Sequence, residues 1–195
     1  MLRAALLAAV VLQPPSARVE PPMPYVDRGA CPFECCQYRE WQATEQMVAR
    51  ERYLLHRPSD AYAKSVFTIR PTERVVAMSG VVITTKPGRM RVIEPITVNV
   101  YSTSFPFRAP EPLTLGRGDL LFKLHESGEG AFVGWYKGRV LESIDVGEFG
   151  PKIVLETEPE TEWWARVRNS RGQIGWVRAE GHFNNQDACG KPEAR

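Results

Sequence analysis

Three features of this 195-residue sequence predict an all-β fold. Short apolar runs alternate with polar residues at a period of two, the mark of half-buried strands. Turn-forming residues are frequent, with 15 Gly and 16 Pro, and most of them fall between those runs. The stretch 162–177, EWWARVRNSRGQIGWV, reads as a β-hairpin. On its first arm Trp163, Ala165 and Val167 share one face, and Arg166 and Arg168 share the other. Asn169, Ser170 and Gly172 supply the turn, and Gly172 tolerates a positive φ.

The chain opens with Met1-Leu2-Arg3, an apolar run over 4–12 and small residues up to Ala17. A basic start, a short apolar core and a small residue at the cut describe a secretory signal peptide over 1–17. The run is far short of the ~20 residues that span a bilayer, so a membrane anchor is not expected. Residues 18–37 form a leader rich in Pro and Cys. The segment 41–52 is expected to be extended, because Thr44 and Val48 favour strands and no cap precedes a helix. Arg57-Pro58-Ser59-Asp60 is a turn signal. Strands are expected over 66–69, over 73–85 as two pieces around Ser79-Gly80, over 89–95 and over 96–101. Pro106, Pro110 and Pro112 mark 102–112 as the linker, with Phe105 and Phe107 wedged between two halves. Beyond it, strands are expected over 120–125 and 152–157, and 131–144 is expected as two strands or as one strand with a bulge at Gly134 or Gly138. The tail 190–195 is polar.

The formal charge of +2 is too even for the concentrated basic face that nucleic-acid binding needs. Four cysteines in an exported chain point to two disulfides. Adjacent Cys35 and Cys36 are poorly placed to bond each other. The favoured pairing is Cys31–Cys36 with Cys35–Cys189, and Cys31–Cys189 with Cys35 or Cys36 left free is the alternative. The spacing lacks the paired C-x2-C of structural zinc sites, so no metal is expected.

No nucleophile–base motif, zinc-protease signature or phosphate loop occurs, which leaves no catalytic residue or cofactor to name. His56, His125 and His182 each read as surface or satisfied side chains. What remains is a binding surface. Trp135, Tyr136 and Trp164 are its candidate aromatics, with Arg166 and Arg168 beside Trp164, while Trp163 and Trp176 are assigned to the core. An aromatic face flanked by Arg suits a peptide or glycan that carries carboxylates. A wall-polymer hydrolase using carboxylates or His125 is the enzymatic alternative. A structural component of an envelope complex is the third.

One resemblance sharpens this. Gly118-Asp119, Trp135-Tyr136-Lys137-Gly138, Trp163 with alternating Val and Arg, and Gly172…Gly175-Trp176-Val177 together resemble a bacterial SH3-like domain. The resemblance covers about 113–183 and implies a small β-barrel. The strands expected over 38–101 can make another such barrel, and the length of the chain then fits two in tandem, 38–101 and 113–189, the second carrying an insertion at 139–158. A faint repeat between 73–80 and 118–128 fits that duplication. By the same resemblance the partner would be a cell-wall peptide, another wall component or a periplasmic envelope protein. The protein would then act exported, in the periplasm or outside the cell. The oligomeric state is left open.

Overall fold

The computed structural model describes residues 20–30, 40–102, 109–128, 130–145 and 150–186. The expected signal peptide, all four cysteines and the Phe105/Phe107 wedge lie outside the described residues. Among the described residues the elements are strands and two short 3-10 turns, Pro58–Tyr62 and Gly150–Lys152. The fold is therefore all-β, in two sheets.

The first sheet takes β1 (Tyr25–Arg28), β2 (Glu40–Ala43), β3 (Met47–Arg50), β4 (Ser65–Ile69) and β5 (Arg74–Lys86). The second takes β6 (Gly88–Val92), β7 (Ile96–Tyr101), β8 (Glu111–Leu115), β9 (Leu120–Gly128), β10 (Ala131–Tyr136), β11 (Arg139–Asp145) and β12 (Ile153–Thr157). The chain then returns to the first sheet with β13 (Glu160–Arg168), β14 (Ile174–Arg178) and β15 (Phe183–Asn184). Strand pairing thus runs across the expected division at 102–112. β7 pairs with β8 over that segment, and β5 pairs with β13 across 73 intervening positions of sequence from Lys86 to Glu160. The second sheet is nested in the connection between β5 and β13. The reason is that β5 and β13 each carry an apolar core face, and the pair Val82–Trp163 and Ala77–Val167 buries both.

The two sheets are threaded alike. One runs β15-β2-β5-β13-β14-β3-β4 and the other β12-β6-β9-β10-β11-β7-β8. Leaving out β1, which pairs beside this path, the strands of each sheet taken in chain order occupy the same places. Hydrogen bonds repeat as well. The Ala43 N–H donates to the Glu73 carbonyl at 2.9 Å, and the Val92 N–H to the Asp119 carbonyl at 3.0 Å. Thr72 N–H to Ala43 O is matched by Gly118 N–H to Val92 O, both 2.8 Å. In each turn a carboxylate takes the N–H three residues back: Glu73 from Arg70 at 3.0 Å, and Asp119 from Gly116 at 2.8 Å. The segments 73–80 and 118–128, which carry the faint repeat, lie on the equivalent strands β5 and β9.

Each sheet closes on its own apolar core. Trp41, Ile69, Val75, Val167, Val177 and Phe183 fill one, with Trp41 edge-on to Trp163 at 5.5 Å between centroids. Leu115, Leu121, Phe132, Leu141 and Ile144 fill the other. β1 straps the two together. It pairs with β5, and its side chains alternate. Tyr25 and Asp27 reach His125 on β9, while Val26 and Arg28 meet the loop of Tyr53 on the first sheet. Beneath, the Thr84 hydroxyl donates to the Leu124 carbonyl at 2.9 Å.

Two local expectations change, over 73–85 and 139–158, while 131–144 takes the two-strand form, one of its expected alternatives. The stretch 73–85 is one strand without a break, and its Gly80 serves close approach instead, since a Cβ there would overlap the Ala30 carbonyl. The stretch 131–144 is two strands joined at Lys137-Gly138, whose φ values of 46° and 92° make the two-residue hairpin turn. Gly134 marks a bulge, where a Cβ would meet Ile144 Cδ1 at 2.9 Å. The expected insertion 139–158 holds β11 and β12, two regular members of the second sheet.

Candidate functional site

The outer face of the first sheet holds the candidate site. Because Val167 and Val177 point into the core, period two turns Arg166, Arg168, Ile174 and Trp176 outward. Pairing then sets these residues in rows. Glu40, Val76, Arg168 and Ile174 lie across β2, β5, β13 and β14, and Ser79, Arg166, Trp176 and Arg50 form the next row. At the end of the first row the surface sinks into an open depression of about 410 Å³. Val75 and Val76 contribute its apolar lining, the Glu40–Arg74 ion pair stands at 3.1 Å on one side, and Arg168 stands on the other.

The hairpin turn that ends the depression is rigidly built. Asn169 is buried, and its Oδ1 accepts the N–H groups of Arg171 and Gln173, each at 3.0 Å. Its Nδ2 donates to Gln173 Oε1 at 2.9 Å. The side chain is thus consumed by the turn, which fixes where Arg168 leaves the sheet. Among the described residues Arg168 and Arg166 enter no ion pair, unlike Arg74, Arg139 and Arg178. Two unpaired guanidiniums beside an aromatic offer a carboxylate a bidentate, planar partner.

The five residues expected to bind do not form one site. Arg166 and Arg168 are exposed on this face. Trp164 shares their face but is only 6% exposed, against 4% for Trp163, so both members of the pair are buried. The loop of Tyr53, Leu54 and Leu55 lies over it, and its Nε1 donates to Glu162 at 3.3 Å. Glu162 also meets His56 Nε2 at 2.6 Å, which fastens that loop to β13. Trp135 is buried with Phe122, Leu124 and Val133, under Tyr25. Tyr136 lies in the core of the second sheet, and its hydroxyl donates to Asp119 at 2.5 Å. The aromatic that does face outward between arginines is Trp176, half-buried and met edge-on by Tyr53 at 5.1 Å. Its core assignment is corrected: Val177 holds the inward position, and alternation along Gly175-Trp176-Val177 already carried that signal.

His125 is 4% exposed and spoken for on both nitrogens. Nδ1 meets the Glu126 carbonyl at 2.7 Å and Nε2 meets Asp27 Oδ2 at 2.9 Å. Beside it Tyr25 has its phenol pushed up to about 12 by burial first, then by the charges of Asp27 and Glu142. His182 meets Glu45 at 2.9 Å. Among the described residues no group of three His, Cys, Asp or Glu is placed to hold a metal ion.

No family model, curated protein or solved structure matches this chain.

Proposed function

We propose that this is an exported, non-enzymatic binding protein built of two SH3-like barrels, one inserted into the other, that recognises a carboxylate-bearing peptide. The observation that carries the reading is the unpaired Arg168 guanidinium at the wall of an apolar-floored depression. Cell-wall stem peptides and acidic segments of periplasmic partners both present carboxylates on an extended chain, and either fits an open groove better than a closed pocket. The matching strand orders support the duplicated barrel. A base needs a free lone pair, and both nitrogens of His125 are engaged, which speaks against His125 as the base of a hydrolase.

Purified cell-wall sacculi and a soluble stem peptide, with an acidic peptide as the second probe, test this. Arg168→Ala is expected to weaken binding ten- to a hundredfold, on the order of 1.5–3 kcal/mol for a charge-assisted contact. Added salt is expected to weaken it further. Arg139→Ala, on the other sheet and already paired with Glu111, is the control. Equal retention of wild type and Arg168→Ala on both probes contradicts the proposal.

A further inference from the structure

We infer that β12 is a self-association edge, through which two copies of this chain pair in antiparallel register centred on Val154. β12 is the last strand of its sheet and is bonded on one side only, to β6, among the described residues. Edge strands of this kind template pairing unless they are short, covered or charged. The equivalent strand of the first sheet, β15, is two residues long, whereas β12 has five. Its Val154 and Leu155 are 46% and 38% exposed, and Ile93 beside them is 41% exposed. Val154 and Leu155 lie on β12 itself, on opposite faces, and Ile93 follows the end of β6.

The sequence of the edge supplies the partner. Lys152-Ile153-Val154-Leu155-Glu156 reads the same in character from either end once sign is reversed. Laid antiparallel on a second copy, Val154 faces Val154 once, on the dyad, while Ile153 faces Leu155 and Lys152, the last residue of the 3-10 turn before β12, faces Glu156, each of these pairs twice. A parallel arrangement or a partner of unrelated sequence loses this match, because like charges then meet or the charged ends go unanswered. Isologous two-fold pairing is what such self-complementarity produces.

Backbone direction agrees. The Lys152 carbonyl accepts the Ile93 N–H at 2.7 Å, so residue 152 faces β6. Alternation keeps Val154 facing β6, opposite Arg91, and turns the N–H and C=O of Ile153 and Leu155 toward the open edge, up to the bulge that interrupts the ladder between Leu155 and Thr157. Centring on Val154 makes those two residues the hydrogen-bonded pairs across the dyad. Glu156 already meets Arg91 at 2.5 Å and Arg89 at 3.7 Å, and Lys152 of a second copy would be its third cation. Its carboxyl is held below the usual range mainly by its hydrogen bond from Arg91, and Lys152 is in no ion pair among the described residues. Five residues a side fall well below the roughly 800 Å² per partner of a standard interface, so the association belongs to the weak, concentration-dependent class. Its consequence is avidity: two copies would present two Arg168 depressions to a repeating polymer. The pairing itself stands whether or not that depression binds a peptide.

Sedimentation equilibrium of the mature full chain tests it. The expected result is a weight-average mass that rises with concentration toward twice the monomer. Val154→Lys, at an exposed position where it would face its own copy, is expected to weaken association at least tenfold while the circular dichroism spectrum stays unchanged. Val154→Cys is expected to give a 154–154 linked peptide under mild oxidation, because non-hydrogen-bonded antiparallel partners lie within disulfide reach. Val66→Cys, on the first sheet, is expected to give none. A mass that stays monomeric up to millimolar protein overturns the inference. So does self-association that Val154→Lys leaves unmoved.

Discussion

Asp119 shows how much one carboxylate can organise. Its oxygens accept the Gly116 N–H at 2.8 Å, the Tyr136 hydroxyl at 2.5 Å and the Lys137 ammonium at 3.4 Å. Burial alone would raise its pKa, but the Tyr136 and Gly116 hydrogen bonds and then Lys137 outweigh that and hold it below the ordinary 3.8. A depressed carboxyl stabilises the fold above its unfolded pKa, and that contribution is lost as pH falls through the folded value. The resistance of the wild type to urea is therefore expected to fall below about pH 4, and Asp119→Asn to flatten the acid limb. Tyr25 works at the other end. With its phenol pushed up to about 12, its contribution is whole below the unfolded value of 10.0 and is lost as pH rises toward 12. Tyr25→Phe is expected to remove that alkaline loss, and an unchanged profile in the variant would count against the buried strap.

Among the elements, the repeated turn before β5 and β9 offers a reciprocal test. Thr72 and Gly118 hold the same place, with φ of 68° and 85°. A β-branched residue there costs about 1–2 kcal/mol, partly offset by the extra chain entropy a glycine loses. Thr72→Gly is expected to stabilise by up to about 1 kcal/mol and Gly118→Thr to destabilise by about as much or more, read from denaturant midpoints. Failure of the two to move in opposite directions would break the equivalence of the turns. The β3–β14 contact is as tight. A Cβ on Gly175 would lie 2.9 Å from Ala49 Cβ and 3.2 Å from the Arg50 carbonyl, so Gly175→Ala is expected to cost about 1–3 kcal/mol. Most of these elements were legible in the sequence. Alternation placed the hairpin arms, and Asn169 with Gly172 placed its turn. The hidden part was coverage: nothing in the pattern of β13 says that Tyr53–Leu55, a hundred positions upstream, lie over Trp164 and leave Trp176 as the open aromatic.

For the whole molecule, the sequence pattern favoured two barrels in file, divided where prolines cluster at 102–112. Prolines mark a loop, but they do not say which strands it joins, and β7 and β8 pair across this one. The signal that does bear on nesting is the long core-faced β5, too long for β2 alone to cover. Its first half pairs with β2 and its second with β1, and β13 lies along the other side of both. The Arg168 depression depends on that return, since Glu40, Val76 and Arg168 come from strands far apart in the chain. The most direct measurement is a map of cross-strand nuclear Overhauser contacts in the full-length protein. The account predicts backbone contacts joining Ala77 to Val167 and Val82 to Trp163. A map in which 160–168 contacts only strands between 113 and 157, and never β5, would contradict it.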